Sequence, residues 1–362
     1  MNQRPGARRG PRAAVCFIPL ALSAALLAAA RSSPAWAEWY AGHIYPVFPY
    51  TIGRLCALFP FSLFEFLLLA LGAGALLLTG WTLLALTGPA AERGTGRLLF
   101  RVCAALSAAL LIFTLTGGVN YSRETFAARY SLQIRESSPE ELRALYRELA
   151  AEAGEALAAL EPAAEERATG RETEDEARRA MAALGRRYSL ISYYPPPKPV
   201  LFSSAMSWLG ISGIFSPFTL EANYNSDMPD FQIPCAICHE LAHVSGYMRE
   251  DEAGFISYLA CRASPEAAFR YSGAMFALSH VLNALGGVVS PEEYGALYAE
   301  LPAAAAADFR RAGEYWRRFA GRAADIQTRA NDAYLRANAQ ENGVRGYGQV
   351  VDLLLAWRRA EQ

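Results

Sequence analysis

The chain has 362 residues, 53% of them hydrophobic, and a formal net charge of −1 at pH 7. A charge this close to zero argues against nucleic acid as a partner, because proteins that bind nucleic acid present a basic surface to its phosphates. Beyond an apolar N-terminal third, roughly 240 residues remain, which is enough for one sizeable domain with its own core.

Three apolar stretches predict membrane-spanning helices, at about residues 13–30, 61–86 and 98–118. Each is long enough to cross the roughly 30 Å hydrocarbon core of a bilayer. The first stretch follows several arginines and precedes Ala35-Trp36-Ala37, which resembles a signal-peptide cleavage site. A cleaved signal peptide is therefore the alternative to a retained first helix.

The orientation of these helices follows from the basic residues beside them. Arg93, Arg97 and Arg101 lie in or beside the short loop between the second and third stretches. Basic loops favour the cytoplasmic side, so we predict that residues 1–12 and this loop are cytoplasmic and that the chain after about residue 119 lies outside. Glu65 falls early in the second stretch, where we expect a hydrated position among the lipid headgroups.

The segment between the first two stretches, residues 31–60, is rich in aromatic side chains. Aromatic rings of this kind collect at the interface between membrane and water. The predicted aromatic belt consists of Trp36, Trp39, Tyr40, Tyr45 and Tyr50.

The first part of the outer region predicts charged helices. Residues 138–187 form two amphipathic helices that split near Pro162 and Gly170, and Ser138 and Glu141 can close a capping box at the start of the first. The proline-rich segment 195–199 is stiff and extended. We therefore predict a helical stalk and linker over residues 119–199, followed by the functional domain over residues 200–362.

One strand is predicted at the start of that domain. Apolar and polar residues alternate from Phe218 to Asn225, which indicates a half-buried strand. Glu221, Asn223 and Asn225 share one face of it and either line a substrate cleft or are simply solvated. After the strand the chain is helical, at about 265–285, 291–300, 303–338 and 347–360. The largely apolar run 269–289 contains too many polar residues for a helix in contact with lipid, so it predicts a buried helix of the domain.

The strongest motif is His239-Glu240-Leu241-Ala242-His243, an HExxH sequence in a segment that predicts a helix. Residues four apart share a helix face, so both imidazoles can bind one Zn²⁺. Glu240 lies on the neighbouring edge, where a carboxylate can take a proton from activated water. The motif therefore predicts a catalytic zinc site with His239 and His243 as ligands and Glu240 as the general base.

A catalytic zinc site needs a third protein ligand, and the acidic run from Glu250 to Glu252 supplies candidates. Gly246 ends the first helix, and the acidic run begins a second one that can fold back beside it. Glu252 lies in line with the apolar stripe formed by Phe255, Ile256 and Leu259, so we predict Glu252 as the ligand. Glu250 is the alternative, and a third interpretation is that the acids only begin a helix.

The cysteines suggest a rival site. Cys235 and Cys238 precede His239, and two cysteines with two histidines form a common structural zinc set. One continuous helix cannot surround an ion with all four, because Cys238 and His239 point about 100° apart. We therefore expect buried thiols at Cys235, Cys238 and Cys261, with a Cys238–Cys261 disulfide as the alternative.

A family resemblance rests on several segments: Pro217-Phe218-Thr219, Cys238-His239-Glu240-Leu241-Ala242-His243, Glu250-Asp251-Glu252-Ala253, Phe269-Arg270-Tyr271-Ser272 and Asn331-Asp332-Ala333-Tyr334-Leu335. With these segments the chain resembles an uncharacterised bacterial membrane protein family, domain of unknown function family 3810, over most of its length. The resemblance implies a multi-pass membrane protein with a zincin-like domain. The Glu-Ala-x-Phe pattern at Glu252 is also similar to gluzincin peptidases, in which the glutamate is the third zinc ligand.

The expected fold is mainly α, with three N-terminal membrane helices followed by an α+β zincin-like domain outside the cytoplasm. The expected function is hydrolysis of peptide bonds by a membrane-anchored zinc metallopeptidase. His280, Tyr271 and Tyr258 are candidates for the group that stabilises the oxyanion. Three alternatives stay open: a catalytically silent zinc-binding sensor, a membrane scaffold, and a hydrolase of other amides.

Overall fold

The computed structural model describes residues 10–86, 91–160, 170–188, 190–338, 340 and 349–361. Residues 1–9, 347–348 and Pro162, on which some of the sequence predictions fall, lie outside these ranges. The described chain is mainly helical, as predicted. Its helices are α1 (Gly10–Ser32), α2 (Pro34–His43), α3 (Arg54–Cys56), α4 (Leu63–Leu86), α5 (Ala91–Thr116), α6 (Phe126–Arg129), α7 (Pro139–Ala159), α8 (Arg171–Tyr188), α9 (Ser203–Trp208), α10 (Ile233–Val244), α11 (Glu250–Arg262), α12 (Ala267–Leu285), α13 (Pro291–Ala299), α14 (Ala303–Arg318), α15 (Arg322–Ala337) and α16 (Val350–Glu361).

Among the described residues, two helices are long and apolar enough to cross a membrane: α4, through Leu63–Leu83, and α5, through Leu98–Thr116. A third candidate is the pair formed by α1 and α2, which is bent by 117° at the break between them. Helix α1 packs along α5. The chain is thus consistent with a membrane protein that has two or three spans.

The first turn of α4 is bonded to the domain that follows the spans. The Glu65 carboxylate accepts hydrogen bonds from the backbone N–H groups of Leu201 (3.0 Å) and Phe202 (2.8 Å). Glu65 is buried. The prediction of a hydrated headgroup position is therefore corrected, because this carboxylate is taken up by backbone donors of the domain.

One hydrophobic core holds the helices of the domain together, and it includes side chains from Phe126 to Trp357. Helix α7 begins with the predicted capping box, in which Ser138 and Glu141 each bond the other's backbone N–H. It packs against α12, and α8 packs against α10 and α11. Both predicted helices of the stalk are present, and their apolar faces are buried in the same core as the HExxH helix.

A small sheet lies beside α10. Its strands are β1 (Lys198–Pro199), β2 (Gly213–Ser216) and β3 (Glu221–Tyr224), in the order β1-β3-β2. β3 runs parallel to β1 and antiparallel to β2. The predicted half-buried edge strand is β3, but the structure places it at the centre with all four residues buried. On the face that the sequence pattern indicated as polar, Glu221 bonds to the first turn of α4 and Asn225 bonds to Ser207 of α9.

A second, smaller core joins the membrane-proximal segments to the domain. Tyr40 and Tyr45 belong to it and are buried, so the predicted aromatic belt is corrected for these two rings. Trp39 is exposed, as a belt residue would be. The predicted buried helix at 269–289 is largely α12. The predicted helix at 303–338 is instead two helices, α14 and α15, separated at residues 319–321.

Candidate metal centre

The HExxH motif lies on α10, at the centre of the domain. Pro234 occupies the first turn, where its missing N–H costs no hydrogen bond. Ile237 and Leu241 are completely buried on the core side. Because these apolar residues fix the rotation of the helix, His239 and His243 share the face that turns away from them.

The end of α10 is fixed by its surroundings. Gly246 has a φ of +88°, a left-handed conformation that favours glycine. A Cβ at this position would also lie 3.1 Å from side-chain atoms of both Arg123 and Asn120. The Tyr45 hydroxyl donates to the carbonyl of Val244 at 2.9 Å, and Arg123 donates to that of Gly246 at 3.1 Å. These contacts satisfy carbonyls that the helix end would otherwise leave open.

Three side-chain atoms converge on one point. Nε2 of His239 lies 3.2 Å from Nε2 of His243 and 3.1 Å from Oε2 of Glu250, and the remaining distance, from His243 to Glu250, is 3.6 Å. Ligands bound at 2.0–2.2 Å around a tetrahedral ion lie roughly 3.3–3.6 Å apart, as the bond lengths of zinc sites imply. Two imidazoles and one carboxylate at these spacings fit a zinc ion with a fourth position left open.

A backbone hydrogen bond on the far side of the ring fixes the orientation of His243. Its Nδ1 donates to the carbonyl of Tyr247 at 2.7 Å, so in the neutral ring Nε2 carries the lone pair and faces the other two ligand atoms. The side chains of His239 and Glu250 are 16% and 14% exposed. The cluster can therefore be reached from solvent on one side.

The charges in the cluster are strongly coupled. Burial favours the neutral form of Glu250, but the charge of His243 and hydrogen bonds from both imidazoles lower the pKa of this carboxyl well below its usual value. Burial likewise opposes protonation of His243, yet the charges of Glu250 and Glu240 raise its pKa to about 9. The site is thus built to hold positive charge between its carboxylates.

Glu240 lies beside the cluster and against β2. Its side chain occupies the space over Gly213, where a Cβ would lie 2.5 Å from Oε1, and it accepts a hydrogen bond from the backbone of Phe215. Burial raises the pKa of Glu240, while the charges of His239 and His243 oppose that rise. A buried carboxylate with a raised pKa is suited to taking up and returning a proton.

The predicted third ligand, Glu252, lies outside the cluster of possible ligands. The Glu252 carboxylate points away from the histidines and accepts a hydrogen bond of 2.7 Å from the backbone N–H of Phe126. Burial raises its pKa to about 7. Glu250, the alternative in the sequence, is the carboxylate that completes the cluster.

The residues predicted to bind substrate have other roles in the structure. Glu221 is buried and bonds to Lys198 and to the first turn of α4. The Asn223 amide donates to the carbonyl of Ile214, and that of Asn225 donates to Ser207 and the carbonyl of Ile211. All three are almost completely buried, so none of them lines an open cleft in the described part of the chain.

The predicted oxyanion donors are not brought into the cluster either. The ring of His280 packs edge to face against Phe276 of its own helix, and His280 is not among the clustered ligands. The hydroxyl of Tyr258 donates to Glu152, and that of Tyr271 donates to Asp308.

Tyr334, on α15, is the residue that the sequence reasoning did not assign to the site. Its hydroxyl accepts a hydrogen bond of 2.9 Å from Tyr121, and its ring packs edge to face against Phe113 near the end of α5. Partial burial raises the pKa of Tyr334, the hydrogen bond from Tyr121 lowers it, and the charge of Glu250 raises it. The only sequence signal was its place in a segment that carries the family resemblance.

The cysteines form a separate buried group. Cys235, Cys238 and Cys261 are free thiols, as expected, and all three are buried. Burial and hydrogen bonds with the other two raise the pKa of the Cys261 thiol. The described clustered ligands include none of them, which agrees with the argument against a mixed cysteine–histidine site.

Comparison with known proteins identifies the family. The chain matches DUF3810, described as a protein of unknown function, over residues 40–355. Because this match covers most of the chain, the chain belongs to that family, and the resemblance seen in the sequence is confirmed. No curated protein and no solved structure matches the chain.

Proposed function

We propose that the chain is a membrane-anchored zinc metallopeptidase that cleaves peptide bonds outside the cytoplasm. One observation carries the proposal: Nε2 of His239, Nε2 of His243 and Oε2 of Glu250 lie 3.1–3.6 Å from one another, with Glu240 beside them. A purely structural zinc site would need the ligands but would have no use for this glutamate. The spacing and the extra carboxylate together favour catalysis.

Each residue has a defined role in this proposal. His239, His243 and Glu250 would hold the ion. A bound Zn²⁺ supplies Lewis acidity, which activates water and polarises a carbonyl. Glu240 accepts the proton at its carboxylate and later delivers it to the leaving amine, and its raised pKa supports both steps.

Strand β2 offers a place for the substrate backbone. Within the described part of the chain, β2 pairs with β3 on one side only. Its residues Gly213 and Phe215 touch Glu240. A peptide that added to the free edge of β2 as a further strand would run past the general base.

Tyr334 is the proposed oxyanion donor. Tyr121 donates to its oxygen, which leaves the Tyr334 hydroxyl proton free to point elsewhere. The charge of Glu250 contributes to the raised pKa of Tyr334. A phenol there would donate to the negative oxygen that develops during attack on the carbonyl.

The location outside the cytoplasm is part of the proposal. Arg93, Arg97 and Arg101 support a cytoplasmic loop between α4 and α5. The other ends of both helices adjoin the domain: Leu63 bonds to Glu221, and a Cβ at Gly117 would lie 3.8 Å from Pro217. Protease accessibility of a C-terminal tag in intact cells, compared with lysed cells, tests this orientation.

The decisive experiment uses the full chain in lipid nanodiscs. Zinc content is measured by elemental analysis, and cleavage of a peptide library is followed by mass spectrometry, for the native chain and for Glu240→Gln. We expect one zinc per chain in both and cleavage by the native chain alone. Undiminished cleavage by Glu240→Gln would refute the mechanism, and a zinc-loaded native chain that cleaves no peptide in the library would favour a non-catalytic zinc site.

A further inference from the structure

Exposed apolar side chains occur in two segments that are hydrogen-bonded to Glu65 in the first turn of α4 or to Lys198, the partner of Glu221. They come from residues 55–59 and 201–209, and all are more than a third exposed: Leu55, Leu58, Phe59, Leu201, Phe202, Trp208 and Leu209. We call these seven residues the apolar collar. Solvent would be an unfavourable environment for so many large apolar groups in one place.

The collar is held at the depth of the first turn of α4. Glu65, the third residue of that helix, accepts hydrogen bonds from the backbone of Leu201 and Phe202. In return, Glu221 accepts hydrogen bonds from the backbone of Leu63 (3.1 Å) and Phe64 (2.8 Å). A helix rises about 1.5 Å per residue, so Leu201 and Phe202 lie within a few ångströms of the level at which the apolar span begins.

The second segment of the collar is bonded to the same place. Lys198 donates to the carbonyl of Cys56 at 2.8 Å and pairs with Glu221 in a fully buried ion pair. Residues 55–59 are therefore attached to the strand that carries Glu221. Both collar segments are thus fixed around one helix turn by buried polar bonds.

The chemistry of the two segments fits lipid. No charged or histidine side chain occurs between Lys198 and Glu221, and none occurs between Arg54 and Glu65. The polar groups of α9 are mostly satisfied within the protein: Ser203 bonds to the carbonyl of Val200, and Ser207 bonds to Tyr315. The surface that remains exposed is apolar, uncharged and continuous with a membrane span.

We propose that the apolar collar contacts the lipid bilayer, with α9 lying in the interface and Leu201, Phe202 and Trp208 entering the boundary between headgroups and acyl chains. The domain would then rest on the membrane at a second contact, outside its spans. This contact would fix the height of the domain above the bilayer. The inference does not depend on zinc binding or on peptidase activity.

The experiment measures the depth of Trp208 in the full chain. The chain is reconstituted in phosphatidylcholine nanodiscs, with or without bromine at positions 6 and 7 of the acyl chains, and tryptophan fluorescence is recorded for the native chain and for Trp208→Phe. The difference between the two isolates the Trp208 signal. Trp81→Phe, within α4, is the control for a lipid-exposed ring, and Trp316→Phe, whose indole bonds to Gln232, is the control for the domain.

We expect brominated lipid to quench the Trp208 signal several-fold more than the Trp316 signal and to a degree comparable with Trp81. Phe202→Glu should reduce quenching of Trp208, because a charged group resists entry into the acyl region. Phe202 is more than half exposed, so this change should leave the fold intact. Equal quenching of Trp208 and Trp316 would overturn the proposal, as would a dimer in the nanodisc that Phe202→Glu dissociates, because the collar would then bind a second copy.

Discussion

The carboxylate of Glu240 occupies the space that a side chain at Gly213 would need. A Cβ on residue 213 would lie 2.5 Å from Oε1, 2.6 Å from Cγ and 2.8 Å from Cδ of Glu240. The absence of a side chain on this strand residue therefore determines where the proposed general base can lie. The contact places the proposed general base against strand β2.

Gly213→Ala should consequently lower catalysis without removing the metal. The new methyl group displaces the flexible end of Glu240, while the three ligand atoms stay in place. Loss of a positioned general base costs about 10²-fold or more in kcat. Peptide cleavage and zinc content measured on the same sample check this expectation. Gly295→Ala is the matched control, because a Cβ there meets nothing within 4 Å and activity should be unchanged.

The identity of the third ligand can be tested by paired substitutions. Glu250→Gln should strongly weaken zinc binding, because it replaces the carboxylate that lies 3.1 Å from His239. Glu252→Gln should keep the zinc, since the amide oxygen can still accept from the N–H of Phe126. Zinc affinity by competition with a fluorescent chelator distinguishes the two. The opposite order would restore Glu252 as the ligand.

Tyr334→Phe tests the proposed oxyanion donor. The ring and its packing against Phe113 remain, so stability and zinc content should change little. Removal of one oxyanion donor typically lowers kcat by about 10²-fold. Steady-state kinetics should show this loss mainly in kcat, whereas Tyr258→Phe, which removes the bond to Glu152, should leave kcat near the native value. A Tyr334→Phe enzyme with native kcat would remove Tyr334 from the mechanism.

Glu221→Ala should destabilise the protein. The substitution leaves Lys198 buried without its ionic partner, and breaking one side of a buried pair costs about 3–5 kcal/mol. Thermal unfolding in detergent micelles measures the effect. The double variant Lys198→Met with Glu221→Leu should recover part of it, because neither charge then remains. A change in KM with native stability would instead support the substrate-binding role that the sequence suggested for Glu221.

The sequence predicted the parts of the site that depend on local spacing. His239 and His243 share a face because they are four residues apart on one helix, and nothing distant is needed to bring them together. The start of α7 was also predictable, because Ser138 and Glu141 bond within a single turn. Both cases involve residues whose geometry is set by the helix itself.

The choice between Glu250 and Glu252 could not be made in this way. The apolar stripe on α11 was expected to mark the face toward α10, but every residue from Glu252 to Cys261 is buried. A helix buried on all sides has no stripe that identifies one neighbour. Glu252 lies on the side that meets Phe126, more than a hundred residues earlier in the chain. Its partner is thus decided by tertiary packing.

The prediction of β3 as a half-buried edge strand was wrong for a related reason. Its alternation of polar and apolar residues resembles a surface strand, but Glu221 and Asn223 point into bonds with α4 and with β2. Polar residues on a buried strand follow the same period as solvated ones. The sequence pattern therefore cannot distinguish a solvent-exposed strand face from one that is covered by another helix.

The contact between Tyr45 and the end of α10 has a consequence for how the protein is made. The Tyr45 hydroxyl bonds to the carbonyl of Val244, 199 residues later in the chain, and Arg123 adds its bond to Gly246. Tyr45 lies between the first two apolar helices, so the ribosome delivers it to the membrane long before the HExxH helix is synthesised. We expect the C-terminal end of α10 to reach its final geometry only after the membrane-spanning region has been inserted. A fragment that begins after the spans would lack Tyr45, and with it the hydrogen bond to the end of α10.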